Sequence, residues 1–342
     1  MSKLGDILPP GKLPGELLGR LLERHAVHDE RVLIGPGTGR DAAAIRFGDS
    51  ALVVKTDPIT FPTDRSALHL VHINANDIAC QGAVPKWLLV TALLPHGSTS
   101  AQSAAAMFAE VNAAAGQVGV SVVGGHTEIT IGLDRPILVG TMLGEVAVNR
   151  LIDPRDAVPG DRLLMTKTAG IEGTVILADE LRSLLLSRNI PSETIDAAVA
   201  MIEDPGISVI AEARALCAAD AVHALHDPTE GGIATAVREL ALASGCGVVI
   251  SRDAIPVAHE TSEIAAALNV DPLGMLASGS LLAAVPKSAL QAAEEALAEA
   301  GIPFAWIGKL TPPESGMRMR SGMAEADLPD FAVDEIARVF AG

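Results

Sequence analysis

Residues Asn74-Ala-Asn-Asp77-Ile-Ala-Cys-Gln-Gly82 close the stretch of sequence that says most about the fold. Residues 67–81 are otherwise apolar and predict a helix, and Gly82 is a typical C-terminal helix signal. Asn74, Asn76 and Asp77 place polar groups in a helix that otherwise looks buried. Burying a polar group without a partner costs on the order of a few kcal/mol. These three polar residues therefore indicate either a ligand or metal on this face of the helix or a hydrogen-bond network in which they satisfy one another and the elements packed on the helix.

Strands and helices alternate on both sides of this helix, which favours α/β layers. An Ala-rich helix is predicted over 99–116. The predicted strands of the first half are 31–34, 42–47, 51–55, 86–94, 118–123 and 136–148. Residues 153–160 are rich in Pro and Asp and separate two apolar regions, so they are the best linker candidate. The second half alternates strands and helices again, so we expect two α/β domains, 1–152 and 161–342.

The charge and composition of the chain exclude several classes of protein. The net charge is −17 and aromatic residues make up 2%, which disfavours nucleic acid and anionic membrane surfaces as partners. A phosphate ligand stays possible because carboxylates can hold one through a bridging metal ion. Cys80, Cys217 and Cys246 form no disulfide or zinc pattern. The sequence predicts neither a signal peptide nor a membrane span, so we expect a cytoplasmic protein.

A glycine-rich loop follows the first predicted strand. Gly35, Gly37 and Gly39 leave backbone N–H groups free to approach an anion. The loop is neither a Walker A loop nor a dinucleotide fingerprint, because its spacing and the strand after it do not fit. Alone it is more typical of a plain turn, but Asp41 stands at its end.

Two further segments place polar residues where strands are predicted to end. Asp57 follows Lys55 at the end of strand 51–55, as either a turn residue or a metal ligand. Gly124 and Gly125 follow strand 118–123 and invite close approach by a ligand. His126, Thr127 and Glu128 would then face that ligand, although a single His is more often structural.

The segment His226-Asp-Pro-Thr-Glu-Gly-Gly232 precedes a helix that is predicted to begin near Gly231. Asp227 or Thr229 is either its N-cap or part of a phosphate site at its N-terminus. The His pairs spaced i,i+3, among them His223 and His226, have no further ligand beside them, which favours a structural or surface role.

Four aspartates thus stand at the edges of apolar elements beside small residues: Asp41, Asp57, Asp77 and Asp227. Carboxylates that converge on one point repel one another unless cations lie between them. Mg²⁺ bound to a polyphosphate is the natural occupant, because Mg²⁺ prefers carboxylate, water and phosphate oxygens.

With these motifs in order, the sequence resembles the superfamily of aminoimidazole ribonucleotide (AIR) synthetase, the hydrogenase maturation factor HypE, selenophosphate synthetase and thiamine monophosphate kinase. The matching pieces span nearly the whole chain: IGPGTGRDAAAI, KTDPITF, NANDIACQGAVP, GGHTEI, GTMLGEV and HDPTEGGIATAVREL. The resemblance implies a PurM-like fold of two α/β domains, a homodimer formed through the N-terminal strands, and ATP bound in the N-terminal domain.

The resemblance also implies roles for residues. The four aspartates would hold Mg²⁺ on the ATP phosphates, and the loop with Gly35, Gly37 and Gly39 would close over them. The nucleotide or its phosphates would be lined by Gly124, Gly125, His126 and Thr127. An acceptor oxygen, of an amide, a carbonyl or a phosphate, would attack the γ-phosphate. The residues expected to assist are Asp77, Asp227 and Lys55, with Lys167 as an alternative lysine.

Among these families, the sequence is most similar to HypE, including residues 271–282. HypE modifies a cysteine at its own C-terminus, whereas no Cys follows Cys246 here, so we expect a HypE-like paralogue that acts on a small or protein-borne acceptor. Three interpretations stay open. The chain is an ATP-dependent enzyme, possibly of hydrogenase or other metallocofactor maturation, or an ATP-binding scaffold in a maturation complex, or a thiamine monophosphate kinase, which Arg40 and His126 disfavour.

Overall fold

The computed structural model describes residues 8, 13, 15–22, 27–37, 39–60 and 65–341. The helices in these ranges are α1 Gly15–Leu22, α2 Ser66–Cys80, α3 Ala101–Gln117, α4 Ile171–Glu180, α5 Arg182–Ser187, α6 Ser192–Ala200, α7 Ile210–Ala218, α8 Gly232–Ser244, α9 His259–Leu268, α10 Leu290–Glu299 and α11 Glu335–Phe340. The strands are β1 Val32–Ile34, β2 Ala43–Phe47, β3 Ser50–Ile59, β4 Val84–Pro95, β5 Ser121–Thr130, β6 Ile137–Ala147, β7 Arg162–Thr166, β8 Ala224–His226, β9 Gly247–Ser251, β10 Leu282–Val285, β11 Phe304–Thr311, β12 Met317–Ser321 and β13 Ala324–Asp327. Within these residues, every helix is too short or too polar to cross a lipid bilayer.

The first half forms a six-stranded sheet in the order β1-β2-β3-β6-β4-β5. All neighbours are antiparallel except β4 and β5, which run parallel. Helix α2 lies on this sheet and contacts β3 and β6. Two glycines of β6 permit that contact, because a Cβ on Gly144 would lie 2.3 Å from Ile78 and one on Gly140 would lie 2.7 Å from Asn74. The small residues of β6 thus bring α2 unusually close to the sheet.

The second half forms a seven-stranded sheet in the order β13-β12-β9-β11-β7-β10-β8. Its interior strand β7 is buried on both faces, with Leu163 and Met165 in one apolar cluster and Leu164 in another. Helix α8 belongs to the first cluster and helices α7 and α10 to the second. A strand covered on both faces has a continuous apolar run, and residues 163–165 of β7 form one.

The predicted two-domain α/β fold is confirmed, but two predicted strand ends are wrong. Strand β3 continues past Lys55 to Ile59, so Asp57 lies inside the strand and is not a turn residue. Strand β5 does not end at Gly124 but runs from Ser121 to Thr130, so the two glycines lie inside it. A Cβ on Gly125 would lie 1.9 Å from the carbonyl oxygen of Val90 on β4. Glycine is therefore required here by the contact between neighbouring strands. The hairpin β12–β13 and helix α11 were not predicted.

The two halves meet along α2, and we call this boundary the seam. Asn76 donates from Nδ2 to the carbonyl of Ile207 at 2.9 Å and accepts at Oδ1 from the amide of Val209 at 2.9 Å. Asn76 therefore belongs to a satisfied network between the halves, one of the two alternatives for the polar row of α2. Residues 153–160 begin with a short 3-10 helix, Pro154–Asp156. The domain limits 1–152 and 161–342 remain a prediction.

Candidate functional site

The site is built on the inward face of β3. Ala51, Val53 and Ile59 on this face are core residues, and the strand's two-residue period puts Lys55 and Asp57 on the same face. This face packs against α2, which carries Asp77 and buries it. Lys55 Nζ lies 3.0 Å from Asp77 Oδ2 and 3.4 Å from Asp57 Oδ2. One ammonium therefore joins two of the predicted aspartates.

The other two aspartates reach the site from the glycine-rich loop and from the segment after β8. His226 Nδ1 lies 3.1 Å from Asp41 Oδ2, and His226 Nε2 lies 3.1 Å from Glu239 Oε2. One potential ligand atom each of Asp41, His226 and Asp227 lies within 4.8 Å of the others. Helix α2 ends beside the same loop, where Gln81 Nε2 donates to the carbonyl of Ala42 at 2.7 Å. This group is the aspartate cluster: Asp41, Asp57, Asp77, Asp227, Lys55 and His226.

The two cationic members of the cluster hold their protons tightly. Burial lowers the pKa of Lys55, but the carboxylates of Asp77, Asp57 and Asp41 outweigh burial and raise it. Burial also opposes the charged form of His226, yet Asp41 and Glu239 raise its pKa well above the usual value. In the absence of a metal ion both side chains therefore favour the protonated form, which does not suit a general base.

Two carboxylates of the cluster, Asp77 and Asp227, also have raised pKa values, which for an acid means that the negatively charged form is disfavoured. Burial raises the pKa of Asp77 to about 6, Lys55 lowers it, and Asp41 and Asp57 raise it further. Burial raises the pKa of Asp227 well above its usual value, and the charges of Asp77 and Asp41 act in the same direction. Neither carboxylate oxygen of Asp227 accepts a hydrogen bond from an N–H or O–H group of the described residues. The site therefore carries more negative charge than its own cations compensate.

Asp227 is not the N-cap of the following helix. The N-cap residue of helix α8 is Gly231, which has no side chain to cap the helix. Gly231 and Gly232 are both in the left-handed region, and a Cβ on Gly232 would lie 2.5 Å from the carbonyl oxygen of Leu273. Glycine is needed at these two positions because the backbone passes close to neighbouring backbone. The N-cap alternative for Asp227 and Thr229 is wrong, because Gly231 occupies the N-cap position.

The glycine-rich loop between β1 and β2 lies against the second half. A Cβ on Gly39, which has φ +70°, would lie 2.5 Å from the carbonyl oxygen of Glu239 on α8. Gly35 has ordinary space around it, and the Arg40 guanidinium lies beside Gly37. Contact with α8 at Gly39 explains how Asp41 comes to face His226. The predicted phosphate-binding role of Gly35, Gly37 and Gly39 stays a prediction.

The segment Gly124-Gly125-His126-Thr127 lies away from the aspartate cluster within this chain. It belongs to the edge strand β5, three positions from β3 in the sheet, on the order of 14 Å. His126 is exposed, and its Nε2 lies 3.2 Å from Glu128 Oε2. These residues line a cavity of about 420 Å³ between β5 and α3. Their nucleotide-binding role stays a prediction.

Sequence reasoning missed His226 as a member of the site, because its i,i+3 spacing from His223 predicted a structural or surface role. Its direct neighbour Asp227 was the available signal. Lys167, the alternative lysine, lies elsewhere: its Nζ is 2.7 Å from Glu212 Oε1 in a buried ion pair. Cys80 is buried beside the aspartates, and burial together with Asp227 and Asp77 raises its thiol pKa. It remains a neutral packing residue, as predicted.

The donor set fits Mg²⁺. Asp227 is buried, its carboxylate oxygens accept no N–H or O–H hydrogen bond from the described residues, and its pKa is raised, so a cation beside it would be stabilising. Carboxylate oxygens are the ligands that Mg²⁺ prefers. Asp41, Asp57, Asp77 and Asp227 are the residues that would hold it. His226 would support Asp41 through its own positive charge.

Comparison with known protein families identifies both halves of the chain. Residues 39–146 match the family model "AIR synthase related protein, N-terminal domain", and residues 158–319 match the model of its C-terminal domain. The glycine-rich loop from Gly39 onward and all four aspartates fall inside these two matches.

Individual proteins agree with the family models. The carbamoyl dehydratase HypE of Cupriavidus necator is 32% identical over 253 residues, which cover 72% of this chain and 68% of that protein. The crystal structure of Escherichia coli HypE is 25% identical, has a TM-score of 0.71, and is matched over 94% of this chain and 99% of its own. A hydrogenase maturation protein HypE in complex with ATP shares the fold, with 24% identity, a TM-score of 0.69, and coverage of 96% and 98%.

Proposed function

The chain belongs to the AIR synthase related protein family as a HypE-like member, and from this premise we propose that it is an ATP- and Mg²⁺-dependent enzyme. It transfers the γ-phosphoryl group of ATP to an amide, carbonyl or phosphate oxygen of an acceptor. The observation that carries the proposal is the aspartate cluster, in which four carboxylates converge around Lys55 and His226. ATP is proposed as the phosphoryl donor because the family resemblance implies it and because one solved HypE structure is a complex with ATP.

Each residue of the cluster has a task in this proposal. Bound Mg²⁺ neutralises charge on the phosphates, which is the main requirement of phosphoryl transfer. Asp41, Asp57, Asp77 and Asp227 hold the ion. Lys55 keeps Asp57 and Asp77 in place and remains protonated, so it acts by position and charge. Such a site catalyses by orientation and electrostatic stabilisation.

Substitution of the aspartates tests the proposal. In the full chain, Asp77→Asn and Asp227→Asn should each abolish Mg²⁺-dependent phosphate release from ATP. Asp161→Asn is the matched control, because Asp161 is an equally buried aspartate that pairs with His223 outside the cluster. Unchanged turnover in both cluster variants would contradict the metal assignment. Tight Mg²⁺-ATP binding without turnover under any condition would favour the scaffold interpretation.

For the pathway, we propose a role in the maturation of hydrogenase or another metallocofactor, because the named relatives are carbamoyl dehydratases. The acceptor is a small or protein-borne group, and the partner a maturation protein that presents or receives it. Phosphate release with small carboxamides and with thiamine monophosphate as acceptors separates the candidates. Turnover with thiamine monophosphate alone would favour the kinase interpretation.

We also propose that the protein is a homodimer joined through β5. This edge strand is exposed along most of its length, and Val123, Ile129 and, on the neighbouring α3, Phe108 are about half exposed. An open, apolar edge strand is a template for pairing with another chain. Sedimentation should show a dimer for the wild type and a monomer for Ile129→Lys. Leu242→Lys, a change at an equally exposed Leu of α8, should leave the dimer intact.

A further inference from the structure

A buried carboxylate outside the aspartate cluster holds the segment that carries Asp227. Asp334 Oδ2 accepts a hydrogen bond from the backbone amide of Gly231 at 2.7 Å, and Asp334 Oδ1 accepts one from the amide of Ile336 at 2.8 Å. The backbone amide of Leu276 also donates to this carboxylate. Hydrogen bonds from backbone N–H groups to a carboxylate are charge-assisted and roughly twice as strong as neutral ones. Asp334 therefore ties together three segments that are far apart in the sequence.

Asp334 belongs to a segment that packs on the second half, residues 328–340, which we call the strap. Before Asp334, Phe331 packs on the apolar cluster of the second half and lies so close to Gly274 that a Cβ there would be 2.4 Å from its ring. After Asp334, the side chain of Ile336 is fully buried. Because buried groups fix the strap on both sides of Asp334, this carboxylate has a rigid support.

The carboxylate of Asp227 is held in place by its backbone. Asp227 directly follows β8, which is fixed in the sheet by the pairing of His226 with Leu282. Within the described residues, neither carboxylate oxygen of Asp227 accepts a hydrogen bond from an N–H or O–H group. Its position therefore depends on the backbone anchors at the two ends of a short link, which are β8 before Asp227 and the hydrogen bond to Asp334 at Gly231.

The link between these two anchors has little freedom of its own. Only three residues separate Asp227 from Gly231, and the first of them is Pro228, whose ring fixes φ. The carbonyl of Thr229 accepts a hydrogen bond from the amide of Gly232 at 3.0 Å, which closes a tight turn. A displacement at Gly231 would therefore be passed on to Asp227, because the residues between them cannot absorb it.

We propose that Asp334 is a positioning residue of the aspartate cluster. By holding the amide of Gly231, it keeps Asp227 where this carboxylate shares a divalent cation with Asp41 and Asp77. Asp334 acts on the backbone and is not itself a ligand of the cation. The inference rests on the proposed function and adds what fixes one of its four metal ligands. Coupling of this kind is reciprocal, so a cation bound at the cluster must also stabilise the hydrogen bond between Gly231 and Asp334.

The first test measures the Mn²⁺ affinity of the full-length protein by EPR, with Mn²⁺ as the probe for a divalent cation. Burial raises the pKa of Asp334 to about 7, against the hydrogen bonds from Gly231 and Ile336 that lower it, so titration at pH 8 keeps this group charged. The wild type should bind Mn²⁺ saturably, and Asp77→Asn should abolish this binding. Asp334→Asn should weaken it about 10- to 100-fold, because Asn offers one acceptor oxygen in place of two and the loss of a partner behind a metal ligand has effects of this size.

Two controls separate positioning from a general loss of stability. Asp161→Asn is matched, because Asp161 is also buried and accepts a hydrogen bond from the amide of Val158 at 2.9 Å outside the cluster. Ile195→Val removes a methyl group from a fully buried side chain of α6 and should lower the melting temperature. Both variants should keep the Mn²⁺ affinity of the wild type. An affinity of Asp334→Asn within about twofold of the wild type, or an equal loss in either control, would overturn the proposal.

The second test needs no variant and follows amide hydrogen exchange in the wild type. Added Mg²⁺ should slow the exchange of the Gly231 amide by a larger factor than that of the Val158 amide, and equal factors would overturn the coupling. A wild type that binds no Mn²⁺, or binding that Asp77→Asn leaves unchanged, contradicts the metal site of the proposed function and this inference with it. Mn²⁺ binding that depends on Asp77 but not on Asp334 contradicts only the role of Asp334.

Discussion

Helix α2 carries two buried polar clusters of different character. The aspartate cluster near its C-terminal end has more carboxylates than cations, and burial and mutual repulsion raise the pKa values of Asp77 and Asp227. A second group near its N-terminal end, the seam cluster of His69, His72, Lys167, Glu172 and Glu212, has a partner for each acid: Lys167 pairs with Glu212, and His69 pairs with Glu172. Burial of charged side chains therefore has a different consequence in each cluster. An excess of negative charge requires a cation from outside the chain, whereas the acids of the seam cluster have partners within it.

Removal of one lysine from each cluster should give the largest effects and test this contrast directly. Lys55→Met leaves Asp77 buried without its counterion and should lower the free energy of unfolding by about 3–5 kcal/mol when Mg²⁺ is absent. Lys167→Met should cost a similar amount because Glu212 loses its partner. Added Mg²⁺ should recover part of the loss in Lys55→Met and none in Lys167→Met. Urea denaturation with and without Mg²⁺ measures both.

The control for these two variants is Lys86→Met, which breaks the exposed pair of Lys86 and Glu145. Exposed pairs contribute roughly 0–1 kcal/mol, so this variant should remain close to the wild type. Equal recovery of Lys55→Met and Lys167→Met by Mg²⁺ would mean that the two clusters do not differ in their need for a cation.

Removal of one carboxylate charge should act in opposite directions in the two clusters. Asp227→Asn removes a buried, repelled charge and should raise the unfolding free energy of the metal-free protein by about 1–3 kcal/mol. Glu172→Gln removes the charge that His69 faces and should lower it by about 1–2 kcal/mol. Thermal or urea unfolding in EDTA gives both values. A loss of stability in Asp227→Asn would show that this carboxylate is already compensated by its neighbours.

The pH dependence of stability is a smaller effect with opposite signs in the two clusters. The folded pKa of Asp77 is raised to about 6, so its contribution is complete below the unfolded value near 3.8 and is lost as the pH rises through 6. The folded pKa of His72 is lowered to about 4, so its contribution is present above 6.5 and is lost as the pH falls through 4. Melting curves from pH 4 to 7 in EDTA should therefore change slope in Asp77→Asn and in His72→Gln, in opposite directions. A change of slope in the same direction in both variants would contradict the opposite pKa shifts assigned to Asp77 and His72.

The sequence predicted the part of the site that local patterns carry. Asp41, Asp57 and Asp77 stand beside small or apolar residues in predicted elements or next to them, and their joint placement together with the family resemblance predicted that they converge. The partners that come from far along the chain were not predictable. His226 meets Asp41 across about half of the chain, and His69 meets Glu172 at a separation of 103 residues. No local pattern encodes such contacts, because they depend on how α2 packs between the two sheets.

The error at β5 has a different cause. Gly124 and Gly125 look like a strand end because glycine usually weakens a strand. Their place inside β5 follows from the approach of Val90 on β4, which leaves no room for a Cβ at Gly125. Glycine therefore marked a close backbone contact, and the sequence alone does not separate that use from a turn. The same ambiguity applied to Gly39, where the contact is with α8.

The hydrogen bonds of Asn76 have a consequence for how the molecule unfolds. Helix α2 is part of the first sheet's core, yet Asn76 holds the backbone of Ile207 and Val209 in the second half. If α2 detached from either half, the surface that α2 covers on that half would be exposed and the contact between the halves would break. The chain should therefore melt in one cooperative transition rather than in two steps. The backbone amide of Val209 donates a hydrogen bond to Asn76 Oδ1, and this amide hydrogen should then exchange with solvent only through global unfolding.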